Sequence, residues 1–108
     1  MWLATVDGFY SVVKAKQKSM VQVRARAKQD LVVLRARFEI KARIVHTPQA
    51  DYPYRIVIPV SFWAGIATDL AWDVSGYGNF KDAVKEKNAQ RAETYLRVWD
   101  DLRKIEEE

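Results

Sequence analysis

The chain has a single histidine, His46, in the stretch His46-Thr47-Pro48-Gln49-Ala50-Asp51-Tyr52-Pro53-Tyr54-Arg55. A lone imidazole can act as a general base near neutral pH, a guanidinium such as Arg55 can hold an anion, and a phenol such as Tyr54 can donate a proton. His46, Asp51, Tyr54 and Arg55 are therefore the candidate set for an enzyme acting on an anionic substrate. Their spacing does not orient them together. The structural alternative is a strand-end histidine beside a turn in which Asp51 caps backbone amides while Tyr52 and Tyr54 fill the sheet edge.

A second constellation is basic. Lys14, Lys16, Arg24 and Arg26 recur at every other position, with Tyr10 among them and Arg43 or Arg55 on neighbouring strands. Cations that track a phosphate backbone beside an aromatic ring suited to base stacking are the physical recipe for binding single-stranded nucleic acid on an open sheet. The aromatic-rich motifs of an RNA-recognition sheet are missing, and alternating Lys and Arg also protect a solvated strand edge. Asp69 and Asp73, at i and i+4, with Asp82 nearby if the chain folds back, could hold a hard cation. No third ligand follows at a recognisable spacing, so neither a metal nor a cofactor is expected. Trp2, Trp63, Trp72 and Trp99 read as core and interface mass.

The chain that must position these residues has 108 residues, 49% hydrophobic and 30% charged, with no cysteine. That is the size and composition of one globular domain, residues 1–108. Disulfides, thiolate catalysis and cysteine metal sites are excluded together. No apolar run reaches the roughly 18 residues of a membrane span, and no signal-peptide core follows Met1, so a soluble cytoplasmic protein is the expectation. The net charge of +4 conceals an asymmetry: residues 1–59 hold 11 Lys or Arg against 4 acids, and residues 60–108 hold 7 against 10. Such segregation favours an anionic partner on the basic surface, or docking of the two halves or of two protomers.

Alternation predicts strand over Phe9–Lys16 and over Met20–Ala27, the latter with Val21, Val23, Ala25 and Ala27 inward and Gln22, Arg24 and Arg26 outward. Met1–Thr5 is further strand material, with Asp7-Gly8 as a turn or bulge before Phe9. Leu31, Leu34 and Phe38 lie at i, i+3 and i+7, predicting a helix over Gln29–Phe38. Short strands follow at Ala42–Thr47 and Tyr54–Ile58. Ser61 is the expected N-cap of a helix whose apolar face is Phe62, Ile66, Leu70 and Val74. Asn79 with Asp82 resembles a capping box, and the polar interval near Asn88 predicts either one long C-terminal helix or a break there. The order β-β-α-β-β-α-α predicts an α+β fold: a four-stranded antiparallel sheet with helices on one face, ferredoxin-like or permuted ferredoxin-like.

Met1-Trp2-Leu3-x-Thr5-x-x-Gly8-Phe9-x-Ser11-Val12-Val13, Thr47-Pro48-x-x-Asp51-Tyr52-x-Tyr54-Arg55 and Asn79-Phe80-Lys81-Asp82-x-Val84 resemble motifs of a family of small bacterial proteins of about 110 residues and unknown function. Arg24-Ala25-Arg26, Asp30-Leu31, Tyr95 and Val98-Trp99 extend that resemblance over nearly the whole chain. It implies one complete domain and carries no functional residue with it. The leading functional expectation is a self-associating binding module, most simply a homodimer with a possible protein partner. Single-stranded nucleic-acid binding through the basic face is the alternative, and an enzyme built on His46 and Arg55 the second.

Overall fold

The computed structural model describes residues 1–108. Apolar–polar alternation sets the first layer: β1 (Trp2–Ala4), β2 (Phe9–Lys14) and β3 (Met20–Ala25) form an antiparallel meander, and β4 (Val45–His46) and β5 (Tyr54–Pro59) form a second hairpin. β5 pairs antiparallel with β3, giving a five-stranded sheet in the order β1-β2-β3-β5-β4. The fold is α+β, as expected, with a different sheet from the four-stranded ferredoxin-like one. Asp7-Gly8 is part of a reversing turn rather than a bulge, so Trp2–Ala4 folds back onto β2 as its own edge strand. The turn is closed by Thr5, whose backbone N–H and hydroxyl both donate to the Gly8 carbonyl while its hydroxyl accepts from the Gly8 amide. Three strands then follow one another without an intervening helix, which a ferredoxin-like topology does not allow.

Helices α1 (Lys28–Phe38) and α2 (Val60–Trp72) cover one face of this sheet. Leu31 and Leu34 from α1, and Trp63, Ile66 and Leu70 from α2, join Tyr10, Val12, Val23, Ala25, Ile56 and Ile58 in one buried cluster. Helix α1 ends where Glu39 takes the left-handed conformation, at φ 51°, and Ile40 turns back into the core. Ser61 is not the N-cap of α2. The helix begins at Val60, directly after Pro59, and the Val60 amide donates to the Ser19 carbonyl at 2.9 Å, so a long-range acceptor replaces a local cap. No helix is long and apolar enough to cross a membrane.

The C-terminal region divides at Asn88 into α3 (Phe80–Lys87) and α4 (Ala89–Leu102), followed by a 3₁₀ turn over Arg103–Glu107. The Asn79 side chain accepts from the Asp82 amide and the Asn88 side chain from the Arg91 amide, so both helices carry a local N-cap. This hairpin buries Val84 fully and no residue of α4, so apolar packing contributes little to its attachment. Polar contacts hold it instead. Arg91 donates to both carboxylate oxygens of Asp30, at 2.8 and 3.1 Å, and Asp30 is 5% exposed. Asp30 also accepts from the Phe9 amide, and its carbonyl accepts the Tyr10 hydroxyl at 2.9 Å. Lys87 pairs with Asp7, and the Tyr95 hydroxyl donates to the Thr5 carbonyl.

Replacing one partner of a buried pair strands the other charge. Arg91→Met is expected to lower unfolding free energy by about 2 kcal/mol. Adding Asp30→Asn should recover part of it, with a coupling above about 1 kcal/mol in a urea double-mutant cycle. Tyr10 supplies a pH test, because burial, then the Asp30 and Asp7 charges, raise its pKa well above the ordinary value. The unfolded chain therefore ionises first, so the contribution is complete below about pH 10 and is lost as pH rises beyond it. Tyr10→Phe should cost about 1 kcal/mol at pH 7 for the lost hydrogen bond and should flatten the alkaline decline, both read by denaturant melts.

Candidate anion-binding face of the sheet

Because side chains alternate along a strand, the face opposite the helices is defined by the pairing register. Trp2 pairs with Ser11, Ser11 with Arg24, Arg24 with Arg55, and Arg55 with Val45, forming one row across all five strands. The next row is Val13, Gln22 and Val57. Neither α1 nor α2 lies on this face, so its arginines are held by neighbouring strands and by the turn before β5.

Arg24 donates to the Ser11 hydroxyl at 2.7 Å and to the Ser11 carbonyl at 3.4 Å. Arg26, two residues on and on the same side, donates to the Asp51 carbonyl at 2.8 Å. Both guanidinium groups lie over the Tyr52 ring, 4.7 and 4.5 Å from its centre, and Tyr52 is left only 5% exposed. Arg55 donates to the Gln22 side chain at 3.1 Å, and its Nε is enclosed without a partner. All the acceptors are neutral. The ion pairs of the chain involve Arg37, Lys87, Arg91, Arg103 and Lys104, so Arg24, Arg26 and Arg55 have no carboxylate against them. At one end of the face Trp2, 72% exposed, meets Phe9 edge-on at 6.2 Å. The arrangement is a row of fixed, planar cations flanked by aromatic and aliphatic surface.

Several expected members of the basic patch lie elsewhere. Tyr10 is 1% exposed in the core, with its hydroxyl committed to Asp30, and offers no ring for stacking. Val12 pairs with Val23, so even-numbered residues of β2 point to the helices, and Lys14 continues that side at the sheet's end. Lys16 lies in the turn before β3 and Arg43 in the segment before β4, both exposed. Of the expected cations, Arg24 and Arg26 remain on the open face, and Arg55 joins them through its register with Arg24.

The His46 constellation does not assemble. His46 pairs with Tyr54 in the β4–β5 register and stacks on its ring at 4.6 Å, whereas Arg55, one residue on, points to the opposite face. Asp51 accepts from the Tyr52 amide, serving the turn. The acidic set is also divided: Asp73 pairs bidentately with Arg37, at 2.7 and 2.8 Å, and that hydrogen bond lowers the Asp73 pKa. No three potential metal-ligating side chains gather anywhere in the chain. Sequence reasoning missed Ser11 and Gln22 as the groups that fix Arg24 and Arg55, and Tyr52 as the ring beneath two guanidiniums. The parity of Ser11 with the residues opposite Arg24 was the available signal.

Tyr52 should report on this arrangement directly. Tyr52→Phe, which keeps the ring, is expected to change unfolding free energy by less than about 0.5 kcal/mol, whereas Tyr52→Ala should cost about 3 kcal/mol by leaving a cavity and freeing both arginines. Thermal and urea melts measure both. No family model, curated protein or solved structure matches the chain.

Proposed function

We propose that this protein is a binding module that takes single-stranded nucleic acid on the open face of its sheet. The observation that carries this reading is the set Arg24, Arg26 and Arg55, side by side on the sheet face with only neutral hydrogen-bond acceptors, whereas Arg37, Lys87 and Arg91 are paired with carboxylates. An anion supplied from outside completes them. Guanidinium groups held over Tyr52 can stack on unpaired bases as well as contact phosphate, and Trp2 with Phe9 offers a further stacking surface at the strand end. Two copies meeting through this same face would bring the three uncompensated cations against their own images, which opposes self-pairing there. Opposite placement of His46 and Arg55 gives the enzymatic reading no support.

The test is fluorescence anisotropy with a labelled single-stranded oligonucleotide over a salt series. Three phosphate contacts predict a log–log salt slope near 2, at about 0.7 per contact. Arg24→Gln or Arg55→Gln should lower both affinity and slope, whereas Arg97→Gln on α4 should change neither. Absence of binding at about 50 mM salt, where the electrostatic contribution is large, overturns the reading. Binding of a poly-glutamate peptide without binding of the oligonucleotide would assign the face to an acidic protein instead.

A further inference from the structure

Arg24 and Arg55 stand directly opposite each other in the β3–β5 register. Like charges so placed destabilise a strand pair. The other members of their row are Trp2, Ser11 and Val45, none of which supplies a countercharge. Basic residues commonly guard the edges of a sheet. In the order β1-β2-β3-β5-β4, however, both β3 and β5 are interior strands, so edge protection does not account for this pair. The two guanidinium groups settle on different neutral acceptors, Arg24 on Ser11 and Arg55 on Gln22. Asp51, beside this face, gives Arg26 its backbone carbonyl and turns its carboxylate to the Tyr52 amide. Arg55 makes one hydrogen bond through its side chain and keeps Nε enclosed without an acceptor. A central pair of cations, short of acceptors, is thus maintained at a cost to the sheet.

We propose that Arg24 and Arg55 form a clamp for one phosphoryl group, held between their guanidinium groups above β3 and β5. Side chains of equal length that leave one face from opposed positions can reach a common anion. A carboxylate presents two oxygens in one plane, which a single guanidinium occupies. The oxygens of a tetrahedral phosphoryl group face several directions, so two guanidinium groups can share it. The bound anion then turns repulsion within the pair into attraction through its own charge. This assignment rests on the reading of the open face as an anion-binding surface and names the group that is bound. Its source is either a nucleic-acid backbone or a free phosphate or phosphomonoester.

Thermal melts of the full chain in chloride and in inorganic phosphate, at matched low ionic strength, test the clamp. Phosphate should raise the melting temperature by about 6 °C at roughly ten times its dissociation constant. Arg24→Gln and Arg55→Gln should each lose most of that rise and weaken phosphate binding at least about 10-fold, whereas Arg97→Gln on α4 should keep it in full. A double-mutant cycle in chloride reads the repulsion itself. Arg55→Gln should be more favourable by about 2–4 °C when Arg24 is present than when Arg24→Gln has already been made. Acetate should give no rise that depends on either arginine. An equal phosphate rise in the parent and both variants, the same effect from acetate, or a cycle without this coupling overturns the proposal. Anisotropy with the oligonucleotide identifies the source. Displacement of bound oligonucleotide by inorganic phosphate puts a backbone phosphate in the clamp. A phosphate rise without oligonucleotide binding or displacement assigns the clamp to free phosphate or a phosphomonoester, and overturns only the nucleic-acid reading. Oligonucleotide binding with no phosphate rise overturns the clamp and leaves that reading standing.

Discussion

The ion pair between Asp30 and Arg91 is the constraint on which the arrangement of the two halves of this chain depends. Asp30 sits in the first turn of α1, where its carboxylate takes the Phe9 amide as well as both guanidinium nitrogens of Arg91. One buried side chain thereby joins the meander, the core helix and the C-terminal hairpin. The cost of burying it is met by hydrogen bonds on both oxygens, the condition under which a buried charge is tolerated. Gly8 follows from the same crowding. A Cβ there would lie 2.7 Å from the Tyr10 hydroxyl oxygen and 2.9 Å from the Asp30 Cβ, so the turn approaches α1 too closely for any side chain.

Around this pair the charges of the molecule sort into two groups. Near the β1–β2 turn, Asp7, Asp30 and Asp73 are each satisfied by Lys87, Arg91 or Arg37. On the far side of the sheet Arg24, Arg26 and Arg55 meet only neutral oxygens and a tyrosine ring. The carboxylates beside the docked helices are therefore each paired, whereas the three arginines of the open sheet face have no carboxylate against them. The apolar surface is sorted in the same way. Trp63 is packed in the core, while Trp99, with Lys81 and Arg103 over its ring, stays half exposed on α4. Two surfaces of different chemistry, one cationic and one apolar, therefore stay exposed.

Features that depend on a few neighbouring residues were legible in the sequence. Leu31, Leu34 and Phe38 specify α1 through their spacing, and Asn79 specifies a helix start because a cap needs only the amides two or three residues ahead, whereas the sequence left one long helix or a break near Asn88 open and the structure takes the break. Alternation likewise places Val21, Val23 and Ala25 on one side and Arg24 and Arg26 on the other. What it could not settle is which side of β2 is buried, since Phe9, Ser11 and Val13 compete with Tyr10 and Val12 on nearly equal terms. That choice is made by hydrogen-bond register: once Val12 lies opposite Val23, Tyr10 must enter the core and Ser11 must lie beside Arg24. Pairing between strands 30 residues apart likewise decides that Arg55 joins Arg24 while His46 stays away from Arg55. The sequence alone determined most of the elements, though not Trp2–Ala4 as a fifth strand or the break at Asn88, and the basic character of one face of β3. Only tertiary pairing decided which cations share that face and which carboxylates are withheld from it, because contacts between distant segments are set by burial and register rather than by local spacing.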